Sequence, residues 1–573
     1  MANWKTFRVA DVVSDIDEEK YVLPVIQRDL VWTEEKMELL FDSLLKGNSF
    51  GGIIVIEEEK KSKPLFAARP FTKDGNPVPS QNNKTLEQTQ YFVIDGQQRL
   101  QSFYIGLKGT FHNKTLYFDL FSDYKNLFDF DFAIEKSDLL TSTKEERPIT
   151  ECLWYSTRDL LRKLKDTGDE EQVIEETILN FQINDSDKKS YISKNIKAFY
   201  KNIIVNESIG IATVSVNKTL PELENRQKIL ELFRRLNDGG TKLSPLDLIA
   251  STLKTFDYRM EGFLRETENE FSDIGLSPEN FIKLIFLLQD NHSKEMSEIE
   301  PSDSDFAITN KERIKNSLIS LQKFLECAKL YDYYKNAKMS FIPLFFITYH
   351  IFHKQISNDD VLNYWDNYET SNVDFKPMLL WMFNSLLNGV FRSRGAGWIP
   401  YKTGIRKILT TIKNFKGKTF PCEELIKVYT SHPIVFTSDY SIENLDNLDR
   451  EFLFYLIYDQ KRQIRKNDID HIMPKNILES MEYNYADINS IKNFQLLDYG
   501  TNRGEKNGKP FAQWVNNSEY VENKQFYIKT HLIPSDEKLW DEKVFLDFSK
   551  ERAELIISKI QEIISSACDK VTN

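Results

Sequence analysis

The stretch DIDHIMP places a carboxylate and an imidazole side by side, at Asp470 and His471. A histidine can take a proton from an attacking water, and a carboxylate with an amide oxygen can hold a divalent cation against a phosphate. Two asparagines follow: Asn493 precedes an apolar run, and Asn502 opens a basic stretch that leads into a helix. This order indicates metal-assisted phosphodiester hydrolysis with Mg²⁺ or Mn²⁺, because both cations prefer oxygen ligands.

The alternation of polar and apolar residues over 468–474 predicts a strand. Neighbouring residues of a strand point to opposite faces, so the Asp-His pair shares one site only where the chain bends or turns. The pair alone is a weak signal in a chain with seven histidines, whereas the pair followed by two asparagines and a basic tail is much more specific. The six other histidines show no ligand spacing and are predicted to be structural or exposed.

A second stretch, YFVIDGQQRL, runs from an apolar strand into an amphipathic helix. Gly96 allows a tight turn between the two, and Asp95 is predicted to cap the helix. Gln97, Gln98 and Arg99 fill the first helical turn. Unpaired backbone N–H groups at that position favour an anion such as a phosphate, and arginine adds a bidentate donor. A capped helix whose polar turn faces water is the alternative.

Basic residues around the Asp-His stretch are predicted to contact DNA phosphates. They are Arg462, Arg465, Lys466, Arg503 and Lys506. For the segment KRQIRKN, which includes the first three, a solvated turn is the alternative. The segment FRSRGAGW (391–398) is a candidate for binding a strand or a flipped base, with a surface loop as the alternative.

Composition limits the classes of function. A formal net charge of −12 and a pI near 5.4 argue against a protein that coats nucleic acid over its whole surface. Four widely spaced cysteines favour a reduced, cytoplasmic protein. No signal peptide is predicted at the start, and the apolar run 341–352 is too short for a membrane span, so we expect a buried core helix there and no membrane role.

The element pattern predicts an α+β chain of several domains. Helices are expected over 33–47 and 226–237, a buried strand over 51–59, and helices through most of 277–390. An exposed loop is expected over 61–89, an acidic loop over 297–306, and a long amphipathic helix at the C-terminal end.

Four ordered motifs, PVIQRDLVW, GGIIVIE, FVIDGQQRL and FRRLNDGGTKLSPLDL, resemble the N-terminal domain of GmrSD-type defence proteins. The resemblance implies a ParB-like fold, and it associates the DGQQR box with nucleotide hydrolysis and with coupling to DNA sensing. The nucleotide-site candidates that it implies are Gln27, Arg28, Asp95, Gly96, Gln97, Gln98 and Arg99. Ile26 and Leu30 stand where the family usually has aromatic residues, which bears on the DNA modification that is recognised.

The motifs DHIMP, NFQLL and TNRGEKNG resemble the HNH domain that follows in fused GmrSD proteins, and they are similar to the HNH domain of CRISPR effectors. By position, the resemblance implies that His471 is the general base and that Asn493 orients the histidine loop. Asp470 and Asn502 are the implied metal ligands. Lys492 stands where the family commonly has glycine.

Together these features predict a ParB-like α/β domain over 1–255, a helical connecting region over 256–435, and a ββα-metal (HNH) nuclease domain over 436–573. The resemblance implies a type IV restriction endonuclease that is regulated by a nucleoside triphosphate and cleaves modified phage DNA in the cytoplasm. GTP, UTP and ATP are all left open as the nucleotide, as is a homo-oligomer. A nucleotide-regulated DNA-binding or signalling module and a non-selective abortive-infection nickase are the alternatives.

Overall fold

The structure is a computed structural model that describes residues 3–48, 50–76, 78–80, 85–139, 152–215, 220–238, 245–291, 294, 298–337, 340–366, 373–392, 401–428, 440–458, 467–506 and 508–568. The chain divides into two compact units, Met1–Gly262 with Glu295–Asp305, and Phe263–Lys294 with Phe306–Asn573. The predicted α+β class and multidomain character are confirmed. The three domain boundaries and the ParB-like and HNH assignments stay predictions.

The first unit contains two sheets. Its strands are β1 (Asn3–Phe7), β2 (Tyr21–Pro24), β3 (Ile53–Glu58), β4 (Ala68–Arg69), β5 (Gln90–Asp95), β6 (Thr115–Asp119), β7 (Phe130–Ala133), β8 (Trp154–Ser156) and β9 (Ile209–Val214). The larger sheet has the strand order β1-β9-β3-β5-β2-β4, and the smaller has the order β7-β6-β8. Strand β5 lies in the middle of the larger sheet, parallel to β2 and antiparallel to β3.

The helices up to residue 256 are α1 (Val9–Asp17), α2 (Glu34–Leu45), α3 (Gln97–Lys108), α4 (Lys136–Leu139), α5 (Thr157–Thr167), α6 (Glu170–Asn180), α7 (Ser186–Phe199), α8 (Glu222–Asp238) and α9 (Pro245–Phe256), and a π-helical turn spans Tyr200–Val205. Helices cover both faces of the larger sheet. Val93 of β5 packs in a core with α1, α2 and α3. Its neighbours Phe92 and Ile94 point to the other face, where they pack with Phe233 of α8.

The remaining helices are α10 (Arg259–Phe271), α11 (Pro278–Leu288), α12 (Pro301–Thr309), α13 (Lys311–Cys327), α14 (Tyr331–Ala337), α15 (Ile342–Lys354), α16 (Asn358–Asp366), α17 (Lys376–Leu387), α18 (Tyr401–Lys413), α19 (Cys422–Lys427), α20 (Arg450–Ile457), α21 (Lys475–Ser480), α22 (Tyr485–Ile488), α23 (Phe511–Val515), α24 (Lys524–Thr530) and α25 (Phe545–Cys568). The second unit also contains a two-stranded sheet of β10 (Asp468–His471) and β11 (Phe494–Leu497). A π-helical turn, Thr501–Lys506, follows β11.

Local patterns predicted many of these elements correctly. The predicted helix over 33–47 is α2, and the predicted strand over 51–59 is β3. The apolar run 341–352 forms α15, a core helix whose residues from Pro343 to Phe352 are all buried. Among the described residues, no helix is both long enough and apolar enough to cross a bilayer.

Both predicted loops contain ordered elements. Within 61–89, the side chains of Leu65 and Phe66 are buried in the core that includes Ile94, and β4 pairs with β2. The acidic segment 297–306 turns helical at Pro301, because proline is tolerated in a first helical turn. The Asp303 carboxylate accepts a 2.9 Å hydrogen bond from the backbone N–H of Glu300, which stabilises that helix start.

Candidate functional sites

The first site is built at the junction of β5 and α3, where Gly96 has a φ of +88°. A Cβ atom at this position would lie 2.2 Å from Cδ1 and 3.3 Å from Cα of Ile53, so together with the positive φ the site favours glycine. The prediction that Asp95 caps α3 is wrong, because Gly96 occupies the N-cap position and no side chain caps the helix. Asp95 ends β5, and its carboxylate instead accepts a 3.2 Å hydrogen bond from Arg99.

The two glutamines of the DGQQR box hold the backbone that follows β2. Gln97 donates to the carbonyl of Arg28 at 2.6 Å. The Gln98 amide donates to the carbonyl of Asp29 at 3.2 Å, and its oxygen accepts from Val31 and Trp32 at 2.9 and 3.2 Å. These amides were predicted to contact a ligand. In the structure they bind the segment Gln27–Trp32, which we call the β2 loop.

The other end of the β2 loop is tied to the sheet and to a buried arginine. Gln27 donates to the carbonyls of Val93 and Ile94, at 2.9 and 2.6 Å. The Arg69 guanidinium donates to the carbonyls of Gln27 and Arg28, at 2.9 and 2.7 Å. Sequence reasoning missed Arg69, because it lies in a segment predicted to be an exposed loop.

A cavity of about 290 Å³ lies between the β2 loop and the start of α3. Its lining includes every predicted nucleotide-site residue, together with Trp32, Phe50, Ile94 and Leu236. Arg99 reaches it from the first turn of α3, where its guanidinium also donates to the carbonyl of Phe50 at 2.9 Å. The volume is close to the lower limit of small-molecule sites, which are about 300–1,000 Å³. The structure thus brings the predicted nucleotide-site residues together around one cavity.

The second site is built on the antiparallel pair β10 and β11. In its register, Asp470 lies opposite Gln495 and His471 opposite Phe494. Successive residues alternate in direction, so Asp468 and Asp470 share one face and His471 lies on the other. The Asp470 carboxylate accepts a 2.8 Å hydrogen bond from Gln495, across the strand pair.

The oxygen ligands predicted for a cation lie on the Asp470 face. Asn502 donates to the carboxylate of Asp468 at 3.1 Å. Asp468 is therefore a third candidate ligand, beside the predicted ligands Asp470 and Asn502. Sequence reasoning missed Asp468, although the Asp-x-Asp spacing on a predicted strand was the available signal. Two carboxylates and one amide oxygen are ligand types that suit a hard divalent cation. The Asp470 carboxylate also pairs with the buried Lys506 ammonium, which a cation at that carboxylate would have to displace. Among the described residues, no cluster of three or more His, Cys, Asp or Glu side chains could hold a metal ion.

His471 is half-buried and oriented by a neighbour that sequence reasoning did not identify. Its Nε2 lies 3.2 Å from Oδ1 of Asn489, and the Asn489 amide nitrogen donates to the carbonyl of Tyr485 at 2.8 Å. The second contact fixes the amide so that its oxygen faces His471. An amide oxygen can only accept a hydrogen bond, so in the neutral ring this contact favours the tautomer with the proton on Nε2 and a lone pair on Nδ1. Burial lowers the pKa of His471 below its ordinary value, which favours this neutral form.

Asn493 is fully buried against the loop that follows His471. Its amide accepts from the N–H of Met473 at 2.9 Å and donates to the carbonyls of Met473 and Ile488, both at 3.1 Å. Its backbone carbonyl accepts from Ile472 at 2.7 Å. This placement supports the orienting role predicted for Asn493.

The buried guanidinium of Arg552, from α25, holds the start of β11. It donates to the carbonyls of Ile491 and Phe494, both at 2.7 Å, on either side of Asn493. No local sequence pattern indicated this contact, because α25 lies far from β11 along the chain.

Of the residues predicted to bind DNA, Lys506 is buried and three others lie outside the described residues. Lys506 is buried and faces inward, where its ammonium donates to Asp470 and to the carbonyl of His471. Burial lowers its pKa, and the Asp470 carboxylate opposes that shift. Arg503 lies in the same π-helical turn as Lys506. The predicted contacts of Arg462, Arg465 and Lys466 lie outside the described residues, as does most of FRSRGAGW.

Comparison with known proteins bears on the first site. Residues 9–254 match the family described as GmrSD restriction endonuclease, N-terminal domain. The chain is also 27% identical over 272 residues to an uncharacterized protein of Methanocaldococcus jannaschii. That match covers 46% of this chain and 44% of the relative, so the chain spans less than half of the relative's length. The family match confirms the N-terminal part of the predicted resemblance, and it ends before the second site.

Proposed function

We propose that this protein is a metal-dependent DNA endonuclease of the restriction type, acting against modified phage DNA. Two lines of support combine: the GmrSD-type N-terminal region, and the arrangement of Asp470, His471 and Asn493 on the β10–β11 pair. The single observation that carries the nuclease assignment is the imidazole of His471, which contacts Asn489 through Nε2 and lies at the end of the strand that also presents Asp468 and Asp470.

His471 would accept a proton at Nδ1 from the water that attacks the scissile phosphate. Asn489 holds the tautomer that leaves Nδ1 unprotonated, and Asn493 fixes the loop that follows the base. Asp468, Asp470 and Asn502 would hold Mg²⁺ or Mn²⁺. When bound, the cation would offset charge that develops on the phosphate and on the leaving oxygen.

The cavity in the first unit would bind the nucleoside triphosphate. Arg28 and Arg99 line it, and the uncapped first turn of α3 directs backbone N–H groups that favour phosphate oxygens. Trp32 and Phe50 offer apolar surface for the base or sugar. Because Gln97 and Gln98 hold the β2 loop, a ligand that moves the first turn of α3 would also move this loop.

Cleavage of phage DNA with and without base or backbone modification tests the proposal, with Mg²⁺ or Mn²⁺ and with GTP, UTP and ATP in turn. We expect cleavage that needs the metal and a modification, and that disappears in His471→Ala while nucleotide hydrolysis continues. His112→Ala, which changes a histidine of the first unit, is the matched control. Retained cleavage by His471→Ala would contradict the assignment of the base.

Two alternatives give different results in the same assay. Equal cleavage of modified and unmodified DNA favours a non-selective abortive-infection nickase. Absence of cleavage under every condition favours a nucleotide-regulated DNA-binding or signalling module. Arg99→Ala tests the nucleotide site separately: calorimetric titration should show weaker triphosphate binding, and unchanged binding would return this turn to a purely structural role.

A further inference from the structure

A second cavity, of about 300 Å³, adjoins the β10–β11 pair in the second unit. Its lining includes the aromatic residues Trp514, Tyr520, Phe526 and Tyr527. Trp514 is only 1% exposed, and its indole N–H has no hydrogen-bond partner among the described residues. The stacking surfaces of the cavity are therefore the partly exposed rings of Tyr520, Phe526 and Tyr527, because Trp514 is buried.

The cavity is adjacent to the proposed metal ligands. Leu497, the last residue of β11, lines it and pairs with Asp468 across the ladder. Thr501 also lines it, and the next residue along the chain is Asn502, which donates to Asp468. A DNA strand whose phosphate lies at this carboxylate face would therefore bring its neighbouring bases to the cavity mouth.

Hydrogen bonds connect the cavity wall to the proposed metal site. The Tyr527 hydroxyl donates to the side-chain oxygen of Gln495. The nitrogen of the same amide donates to the Asp470 carboxylate at 2.8 Å. A group that stacks on Tyr527 thus contacts a residue that is one side chain away from Asp470.

The charges around the cavity favour a base over a phosphate inside it. Asp498 and Glu522 line the cavity, and carboxylates repel phosphate but accept hydrogen bonds from the amino groups of bases. The ammonium of Lys509 lies 4.3 Å from the centre of the Tyr520 ring, which lines the cavity. A cation at this position suits the backbone phosphate of a nucleotide whose base enters the cavity.

We propose that this cavity receives one unstacked base of the DNA strand that is cut. The inference rests on the proposed nuclease function, because that function places the strand at the Asp468–Asp470 face. Stacking on the rings of Tyr520, Phe526 and Tyr527 holds the base, and the carboxylates of Asp498 and Glu522 accept hydrogen bonds from its amino groups. The strand is thereby held in register with the phosphate that is hydrolysed.

Binding of a fluorescently labelled single-stranded oligonucleotide, measured by anisotropy on the full chain in EDTA, tests this proposal without cleavage. A second oligonucleotide of equal length, in which every base is removed, reports backbone contacts alone. Phe526 is 66% exposed, so Phe526→Ala leaves the core intact, and a thermal melt checks the fold. Leu546→Ala, which removes a comparably exposed apolar side chain from α25, is the control.

We expect Phe526→Ala to weaken binding of the base-bearing strand about tenfold and to leave binding of the abasic strand unchanged. Phe526→Trp, which keeps an aromatic face, should restore the preference, and Leu546→Ala should bind like the wild type. Equal weakening for both strands, or no weakening for either, overturns the cavity proposal. Since no catalysis is involved, that result leaves the nuclease proposal standing, whereas retained cleavage by His471→Ala contradicts the nuclease proposal and leaves base binding measurable.

Discussion

The ammonium of Lys506 lies against the carboxylate of Asp470, with both side chains withdrawn from solvent, at 2% and 13% exposure. Lys506 also donates to the carbonyl of His471, so one buried cation contacts both residues of the Asp-His pair. A carboxylate predicted to bind a metal ion is therefore neutralised by the protein itself. A divalent cation that binds at Asp470 would have to displace the Lys506 ammonium or share the carboxylate with it.

We predict that Asp470→Ala lowers the free energy of unfolding by about 3–5 kcal/mol in EDTA, because it leaves the buried Lys506 ammonium without its partner. The double variant Asp470→Ala with Lys506→Met should recover much of that loss, since no buried charge remains. Urea denaturation measures both values. Glu551→Ala, an exposed carboxylate on α25, is the control and should change stability little. Equal losses for Asp470→Ala and Glu551→Ala would contradict the buried pair.

Asn489 should control the tautomer of His471. We predict that Asn489→Ala lowers the rate of DNA cleavage about tenfold, since the imidazole loses the acceptor that keeps its proton on Nε2. Asn489→Asp keeps an acceptor oxygen in place and should retain more of the rate. Nitrogen NMR of the labelled imidazole reports the tautomer directly. An unchanged tautomer in Asn489→Ala would show that another group orients the ring.

Gln98 should determine the order of the β2 loop. Gln98→Ala removes the acceptor for two backbone N–H groups, at Val31 and Trp32, and should cost about 1–3 kcal/mol of stability. We expect faster amide hydrogen exchange at these two positions. Gln97→Ala is the matched control, because Gln97 contacts the carbonyl of Arg28 and should leave both amides protected. Identical exchange in the two variants would argue against the loop-holding role.

Alanine substitutions at Gly96 and Gly47 distinguish the stability cost of backbone strain from the cost of steric overlap. Both glycines have positive φ, at +88° and +70°, so alanine at either position should cost about 1–2 kcal/mol. A Cβ atom at Gly47 meets no atom within 4 Å, whereas one at Gly96 meets Ile53 at 2.2 Å. Gly96→Ala should therefore lose about 1–3 kcal/mol more than Gly47→Ala, as measured by chemical denaturation. Equal losses would mean that β3 moves to accept the methyl group at no cost.

Several features followed from local sequence alone. The polar–apolar alternation of DIDH predicted β10 and the opposite orientations of Asp470 and His471, because strand direction alternates with every residue. The apolar periodicity after DGQQR predicted α3, and the apolar run 341–352 predicted the buried helix α15. In each case the signal and the element lie within a few residues of each other.

Other features depended on the whole chain. The polar composition of residues 61–89 predicted an exposed loop. That prediction missed the buried side chains of Leu65, Phe66 and Arg69. The cap at Asp95 was predicted from residue type, but Asp95 pairs with Ile54 as the last residue of β5, so the N-cap position falls at Gly96. Lys506 was predicted to contact DNA because it lies in a basic run. In the structure its ammonium is buried and donates to the carboxylate of Asp470.

The sequence by itself determined which residues are candidates for the chemistry, since the Asp-His pair, the two asparagines and the DGQQR box are defined by type and spacing. Only the tertiary structure decided what each of them contacts. Arg552 reaches Phe494, and Gln98 reaches Trp32, across long separations in the chain. Such partners are selected by packing and by the need to satisfy buried polar groups, and neither requirement is encoded in a local pattern.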